Sequence, residues 1–233
     1  DSAKLQFIEN KYGVNIAESN EVLVKESQLL FLTIKPDIYP KLLAEITPYL
    51  NKDHVLFSIA PAFNFADMQK LLMNKESKIV LMMSNTAAKI GQALTAACFS
   101  NNITKHEKKE IIGLFKSFGS FIEADQEQMS TLTSLIGSAP ALVYMLIEGL
   151  IQGAIQEGIS ADQAQFLAAN IVKSAASMII QTGEHPAIQR DRICSPSGTT
   201  IEGVAYLQNE AFTGKIIEAV HRMAEKARKM QET

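Results

Sequence analysis

The sequence predicts an α/β region followed by an all-α region. Short apolar runs alternate with helical patterns as far as Glu123, no run of strand character follows, and one later helix is apolar around nearly its whole circumference. The chain has 233 residues, enough to bury a substantial core without staples. Its two cysteines, Cys98 and Cys194, make neither a disulfide framework nor a zinc cluster. A formal charge of −3 leaves no dense basic face for nucleic acid or an anionic membrane. The longest nearly uninterrupted apolar run, Ala139 to Ile147, falls short of the roughly 20 residues of a membrane-spanning helix. The first residues, Asp1-Ser2-Ala3-Lys4, lack the basic start and apolar stretch of a secretory signal. Together these readings predict a soluble, cytoplasmic protein with no nucleic-acid and no membrane partner.

Ser2 to Tyr12 reads as a helix closed by Gly13, a residue suited to a left-handed C-cap. Asn20 is a good N-cap for a short helix from Glu21 to Glu26. The run Leu29 to Ile34 has no polar alternation, which predicts a strand covered on both faces and ending at Lys35-Pro36. A helix follows from Ile38 to Leu50, with Pro40 in its first turn and Pro48 near its end. Val55 to Ile59, Lys78 to Met83 and Gln92 to Phe99 are further strands, with helices at Phe65 to Leu72 and Lys105 to Phe118 between and after them. A short strand near Ser120 to Glu123 closes the series. Such alternation with short connections predicts a mainly parallel sheet between helical layers.

After Asp125 the pattern is helical throughout. Gln126 to Ile136 and Pro140 to Glu157 are helices, the second with proline where a first turn tolerates it and Gly158 at its end. Ser160-Ala161-Asp162-Gln163 has capping-box spacing and opens a helix to about Thr182. Gly183 to Gly198 reads as a loop with two prolines, and helix resumes at Thr199 with a break between Asn209 and Gly214. The boundary falls near residue 125, dividing 1–125 from 126–233. In the Pro140 helix, Leu142, Val143, Met145, Leu146, Leu150 and Ile151 surround the axis. A helix apolar all round must be buried on all sides, within one chain or, more simply, against a second copy. Met82, Met83, Met145 and Met178 read as core filler.

No Gly-x-Gly-x-x-Gly turn, Walker loop, Gly-x-Ser-x-Gly elbow or metal-spaced His/Cys pair is present. The four histidines, His54, His106, His185 and His221, lie far apart, so no metal site is predicted. Three segments are dense in small and polar residues: Thr33 to Pro36, Ser84-Asn85-Thr86, and Ser195-Pro196-Ser197-Gly198-Thr199-Thr200-Ile201. The first two follow predicted strands, at the carboxyl edge where open α/β sheets bind ligands. The third enters a helix, so its N–H groups and the hydroxyls of Thr199 and Thr200 suit an anion such as a carboxylate. Each also reads as an ordinary turn and cap. His185, before Pro186, reads as a structural hydrogen-bonder, and Cys194 as a packed thiol.

Thr182-Gly183-Glu184-His185-Pro186, with Arg190-Asp191-Arg192-Ile193-Cys194-Ser195-Pro196-Ser197-Gly198-Thr199-Thr200-Ile201, resembles the signature of pyrroline-5-carboxylate reductase. Gly137 to Ala141 resembles that family's GSGPA helix start, Ser84 to Ala87 its PNTP, and Thr33 to Pro36 its AVKP, in the same order along the whole chain. The resemblance implies a Rossmann-like, mainly parallel sheet over 1–125 that binds NADPH or NADH, then a helical dimerisation and substrate domain over 126–233. It implies reduction of the cyclic imino acid 1-pyrroline-5-carboxylate to L-proline, the last step of proline biosynthesis. Asn20, Lys35, Pro36, Ala60, Asn85 and Thr86 would line the nicotinamide and ribose. Ser195, Ser197, Gly198, Thr199 and Thr200 would hold the substrate carboxylate, with Thr200 as the catalytic residue nearest the imine nitrogen. Similar enzymes are homodimers through the helical domain, and larger rings of dimers occur.

Several positions depart from the pattern. Ser197 replaces a glycine, Ala139 the middle glycine of GSGPA, Ser84 and Ala87 the prolines around Asn85-Thr86, and Ala62 a usual glycine. These predict backbone strain at Ser197 and a looser Asn85 loop. They keep open a reductase-like relative with weak or no activity and a regulatory or binding role. An interaction module using the apolar helix, with no ligand at the Ser195 bend, is a third reading. On the resemblance the chain starts just past the family's second strand, and a strand–GxGxxG–helix–strand unit is expected ahead of it. Residues 1–233 alone are therefore expected to show little or no reductase activity, and micromolar NADPH binding by this stretch in a titration would contradict that expectation.

Overall fold

The structure, a computed structural model, describes residues 2–60 and 63–229. Ala62 lies outside the described residues. Two compact units are present, Asp1–Gly137 with Lys226–Thr233, and Ser138–Glu225.

The first unit is built on five strands: β1 (Leu29–Leu32), β2 (Val55–Ser58), β3 (Lys78–Ser84), β4 (Ala93–Phe99) and β5 (Gly119–Glu123). They lie in sequence order across the sheet, parallel except that β4 runs antiparallel to β3. The reversal needs no crossover helix, because Thr86–Ile90 forms one 3-10 turn that ends on Gly91 in the left-handed region, at φ 70°. Helices α1 (Ser2–Tyr12), α2 (Asn20–Glu26), α3 (Tyr39–Ile46), α4 (Phe65–Leu71), α5 (Lys105–Lys116) and the short α6 (Met129–Leu132) complete the unit.

Both faces of the sheet are apolar and each has its own cover. Leu30, Leu32, Leu56, Ile79 and Leu81 cluster with Val24 of α2, Leu43 of α3, Met68 of α4 and Met129 of α6. Val55, Phe57, Val80, Met82 and Ala97 pack on Ile111 and Phe115 of α5. The continuous apolar runs of β2 and β3 reflect this double cover. Strand β1 differs from the sequence expectation. It is an edge strand, and Leu29 and Phe31 remain 41% exposed, joining neither apolar cluster among the described residues. Phe31 stacks on the ring of Phe57, 4.1 Å away.

Other details are corrected by local chemistry. The cap of α2 is Ser19, whose hydroxyl accepts from the Val22 N–H, and Asn20 is the first helical residue. The region predicted as one helix from Ile38 to Leu50 is α3 flanked by 3-10 turns that begin at Pro36 and Thr47. Gln126 to Ile136 is also broken, into a 3-10 turn, α6 and a π segment, Thr133–Ser138. At its end Gly137 closely approaches β3: an added Cβ would meet Met83 Sδ at 3.3 Å.

The second unit is helical: α7 (Pro140–Gln156), α8 (Ala161–Thr182), α9 (Pro186–Ile193), α10 (Thr199–Asn209) and most of α11 (Phe212–Lys229). Ser160 precedes α8 in extended conformation but makes no side-chain cap, so the capping-box spacing is not used. The segment read as a loop between Gly183 and Gly198 contains α9, which Pro186 opens in its first turn. No residue of α7 is buried in the single chain; Tyr144 is 64% and Met145 67% exposed. Met178 is exposed too, so these two methionines are not core filler within one chain. The stretch Gln126–Gln156 is long and apolar enough to cross a membrane by length and composition. The uninterrupted apolar run stops at Glu148, whereas a longer window absorbs that one charge.

Candidate active site

Because β1, β2 and β3 are parallel, their carboxyl ends share one rim of the sheet. Lys35 and Pro36 follow β1, Ala60 follows β2, and Asn85 and Thr86 follow β3. Five of the six candidate nicotinamide residues are thus brought to one edge by pairing alone. Asn20 is not: it begins α2, and its side-chain amide donates to Glu45 Oε1 on α3 at 3.0 Å.

The Asn85 bend is held by hydrogen bonds where the family pattern has prolines. Asn85 Oδ1 accepts from the N–H of Ala87 at 3.3 Å and of Leu94 at 3.4 Å. A proline at 87 has no N–H to offer, so alanine gains a bond there. Ser84 Oγ lies 2.9 Å from the buried Thr95 Oγ1 on β4 and ties the other side of the bend. The looser loop expected from the missing prolines is therefore pinned by a different means. Asn85 Nδ2, Thr86 Oγ1 and Lys35 Nζ have no partner among the described residues. These free donors beside the small, buried Ala60 fit the carboxamide and ribose of a nicotinamide nucleotide.

The same rim carries two residues that the sequence did not single out. Tyr39, fully buried at the head of α3, donates its hydroxyl to Leu32 O at 2.8 Å. Ser58, buried at the end of β2, donates to the Tyr39 hydroxyl and accepts from the Ala60 N–H. Burial raises the Tyr39 pKa, against the lowering effect of the Ser58 hydrogen bond, so the phenol stays protonated at neutral pH. In the sequence Tyr39 looks like one more apolar helix position, and Ser58 is a lone polar interruption in Val55 to Ile59. Cys98, a buried residue of β4, is inert: burial pushes its thiol up to about 12.

The second cluster belongs to the helical unit. Gly183 ends α8 in the left-handed region, and His185 caps α9 by accepting the Ala187 N–H on Nδ1 at 3.2 Å, the structural role read from its sequence position. Arg192 grips Glu184 through both guanidinium ends, one bond at 2.7 Å, and holds the Glu184 carboxyl below its usual range. This pair straps α9 to the turn before it. Cys194, half-buried, ends α9, and Ser195 to Gly198 form a tight turn closed by the Gly198 N–H on Ser195 O at 3.1 Å.

Gly198 packs closely on Ser195: an added Cβ would sit 2.3 Å from Ser195 Oγ, which would have to turn away, and 3.2 Å from Ser195 O. Ser197 takes the left-handed conformation, at φ 56°, as its replacement of glycine predicts. Helix α10 then begins at Thr199 with no side-chain cap. The cap position is held by Gly198, which has no side chain to offer. The first-turn N–H groups of α10, including those of Thr199 and Thr200, lack intrahelical partners, which is the condition for binding an anion.

A mainly parallel sheet with free donors along its carboxyl rim, followed by an all-helical unit, defines a Rossmann-like oxidoreductase. Residues 126–230 match the family described as pyrroline-5-carboxylate reductase dimerisation, and residues 1–62 the family of coenzyme F420-dependent NADP oxidoreductases. A pyrroline-5-carboxylate reductase of Glycine max is 35% identical over 94% of this chain and 79% of its own length. That of Escherichia coli is 32% identical over 99% of this chain and 85% of its own. Among solved structures, pyrroline carboxylate reductase of Plasmodium falciparum with NADP bound superposes with a TM-score of 0.87 at 29% identity. It covers 94% of this chain and 82% of that one. The chain belongs to the pyrroline-5-carboxylate reductase family.

The strain at Ser197 has a measurable consequence. Ser197→Gly is expected to stabilise the protein by about 1 kcal/mol, read as a raised urea midpoint; an unchanged or lowered midpoint would show that the bend tolerates serine without cost.

Proposed function

We propose that the protein carrying residues 1–233 reduces 1-pyrroline-5-carboxylate to L-proline with NADPH or NADH, the last step of proline biosynthesis. One observation carries the reading of the site: the uncapped first turn of α10 behind the Ser195–Gly198 turn. Its free N–H groups and the Thr199 and Thr200 hydroxyls suit a small carboxylate. Residues 1–125 serve as the cofactor domain and 126–233 as the dimerisation and substrate domain. Lys35, Pro36, Ala60, Asn85 and Thr86 line the nicotinamide and ribose. Asn20 joins them only if its amide leaves Glu45.

Bound NAD(P)H supplies a hydride to the imine carbon. The turn formed by Ser195, Ser197 and Gly198, with Thr199 and Thr200, fixes the carboxylate and so the ring face presented. The Thr200 hydroxyl, nearest the ring nitrogen, is its hydrogen-bond partner or the relay for the proton that turns the imine into the iminium. No strong general acid is required, because the protonated iminium is the better hydride acceptor and becomes the secondary amine directly.

The exposed apolar surface of α7 is the surface a second copy covers, so the working assembly is a homodimer through the helical region. Closure of dimers into a larger ring is a further step of the same reading. Coverage by a partner, rather than insertion in a bilayer, accounts for the apolar stretch Gln126–Gln156. A soluble biosynthetic enzyme of the cytoplasm fits this assembly.

With the complete protein, imine-dependent loss of nicotinamide absorbance tests the activity. Thr200→Val is expected to lower kcat/KM for the imine about 100-fold, with Thr200→Ser retaining most of it. Absence of turnover by the complete wild-type protein would overturn the reading in favour of a non-catalytic relative.

A further inference from the structure

Tyr39 lies fully buried at the head of α3, with its ring stacked on Phe63 at 4.9 Å and 20°. Its hydroxyl is the middle of a continuous chain of hydrogen bonds. The Ala60 N–H donates to Ser58 Oγ at 3.3 Å, Ser58 donates to Tyr39 Oη at 3.1 Å, and Tyr39 donates to Leu32 O at 2.8 Å. The chain starts in the loop after β2 and ends on the last residue of β1, three positions before Lys35.

Packing alone does not call for that hydroxyl. Phenylalanine would fill the same space beside Leu43 and Phe63 without a polar atom to satisfy, and buried polar atoms are costly. Nor does β1–β2 pairing need it, since the backbone ladder already joins Leu32 to Ser58. What the hydroxyl adds is a fixed separation between the segments that leave the two strands, one toward Lys35-Pro36 and one at Ala60. Buried and fully satisfied networks of this kind specify position more than they add stability.

We infer that Tyr39 and Ser58 are positioning residues for the nicotinamide end of the cofactor, locking the Lys35-Pro36 segment and the Ala60 segment at the spacing that end requires. The inference rests on the functional reading above. Neither residue touches the reacting atoms; both act through the backbone at Leu32 and Ala60.

The test uses the complete protein with Tyr39→Phe and, as a second variant, Ser58→Ala. NAD(P)H binding is followed by nicotinamide fluorescence, which no tryptophan complicates in these 233 residues. Tyr39→Phe is expected to raise the Kd for NAD(P)H about tenfold, while the KM for the imine stays within about twofold and the thermal midpoint without ligand moves little. Ser58→Ala should act in the same direction, and the double variant should be no worse than the worse single, as for two links of one chain. Wild-type-like cofactor binding by both variants would overturn the inference and leave the functional reading standing. So would equal rises in cofactor Kd and imine KM together with a large fall in thermal midpoint, which mark a purely structural bond. A wild-type protein that binds no nicotinamide nucleotide would overturn the functional reading and this inference with it.

Discussion

Leu29, Val55 and Lys78 stand in register across three parallel strands, and that register decides where chemistry can gather. Parallel strands all discharge their following loops at one rim. Residues separated by 25 positions or so in sequence, such as Lys35, Ala60 and Asn85, become neighbours along that rim without any tertiary contact designed for the purpose. The cost is that both sheet faces must be apolar and covered. The helices α2, α3, α4 and α6 on one side and α5 on the other meet that need, except over β1. The rim itself is dressed in hydrogen bonds: Tyr39 to Leu32, Ser58 to Tyr39, Ser84 to Thr95, and two backbone amides to Asn85.

The helical unit obeys the opposite logic. Its longest apolar surface is not buried by its own chain, so its stability and the family's dimerisation assignment over 126–230 describe one fact from two sides. The polar part of that unit is compact. His185 caps α9, Arg192 and Glu184 strap it, Gly198 packs closely on Ser195, and the first turn of α10 is left without a side-chain cap. An open helix start of this kind is what the proposed function uses to hold a small carboxylate, with the hydroxyls of Thr199 and Thr200 as further partners.

Much of this was legible in the residues. Continuous apolar runs announced β2 and β3, Gly183 announced the end of α8, and the replacement of glycine by Ser197 announced a positive φ. Other features were hidden for physical reasons. An edge strand and a central strand have the same composition, so β1 could not be told from its neighbours. Ser19 and Asn20 are both good caps, and only geometry chooses between them. Alanine in place of proline at Ala87 reads as lost rigidity until its N–H is seen to bond Asn85. Tyr39 carries no signal at all, since its ring satisfies the apolar pattern and its hydroxyl finds partners from two different strands.

The most direct test of the site as a whole is a crystal structure of the complete protein with oxidised cofactor and proline. The predicted result has the nicotinamide across the ends of β1, β2 and β3 beside Ala60 and Asn85, and the proline carboxylate on the first-turn N–H groups of α10. Proline held elsewhere with the Ser195–Thr200 bend vacant, or a nicotinamide on the opposite edge of the sheet, would contradict it.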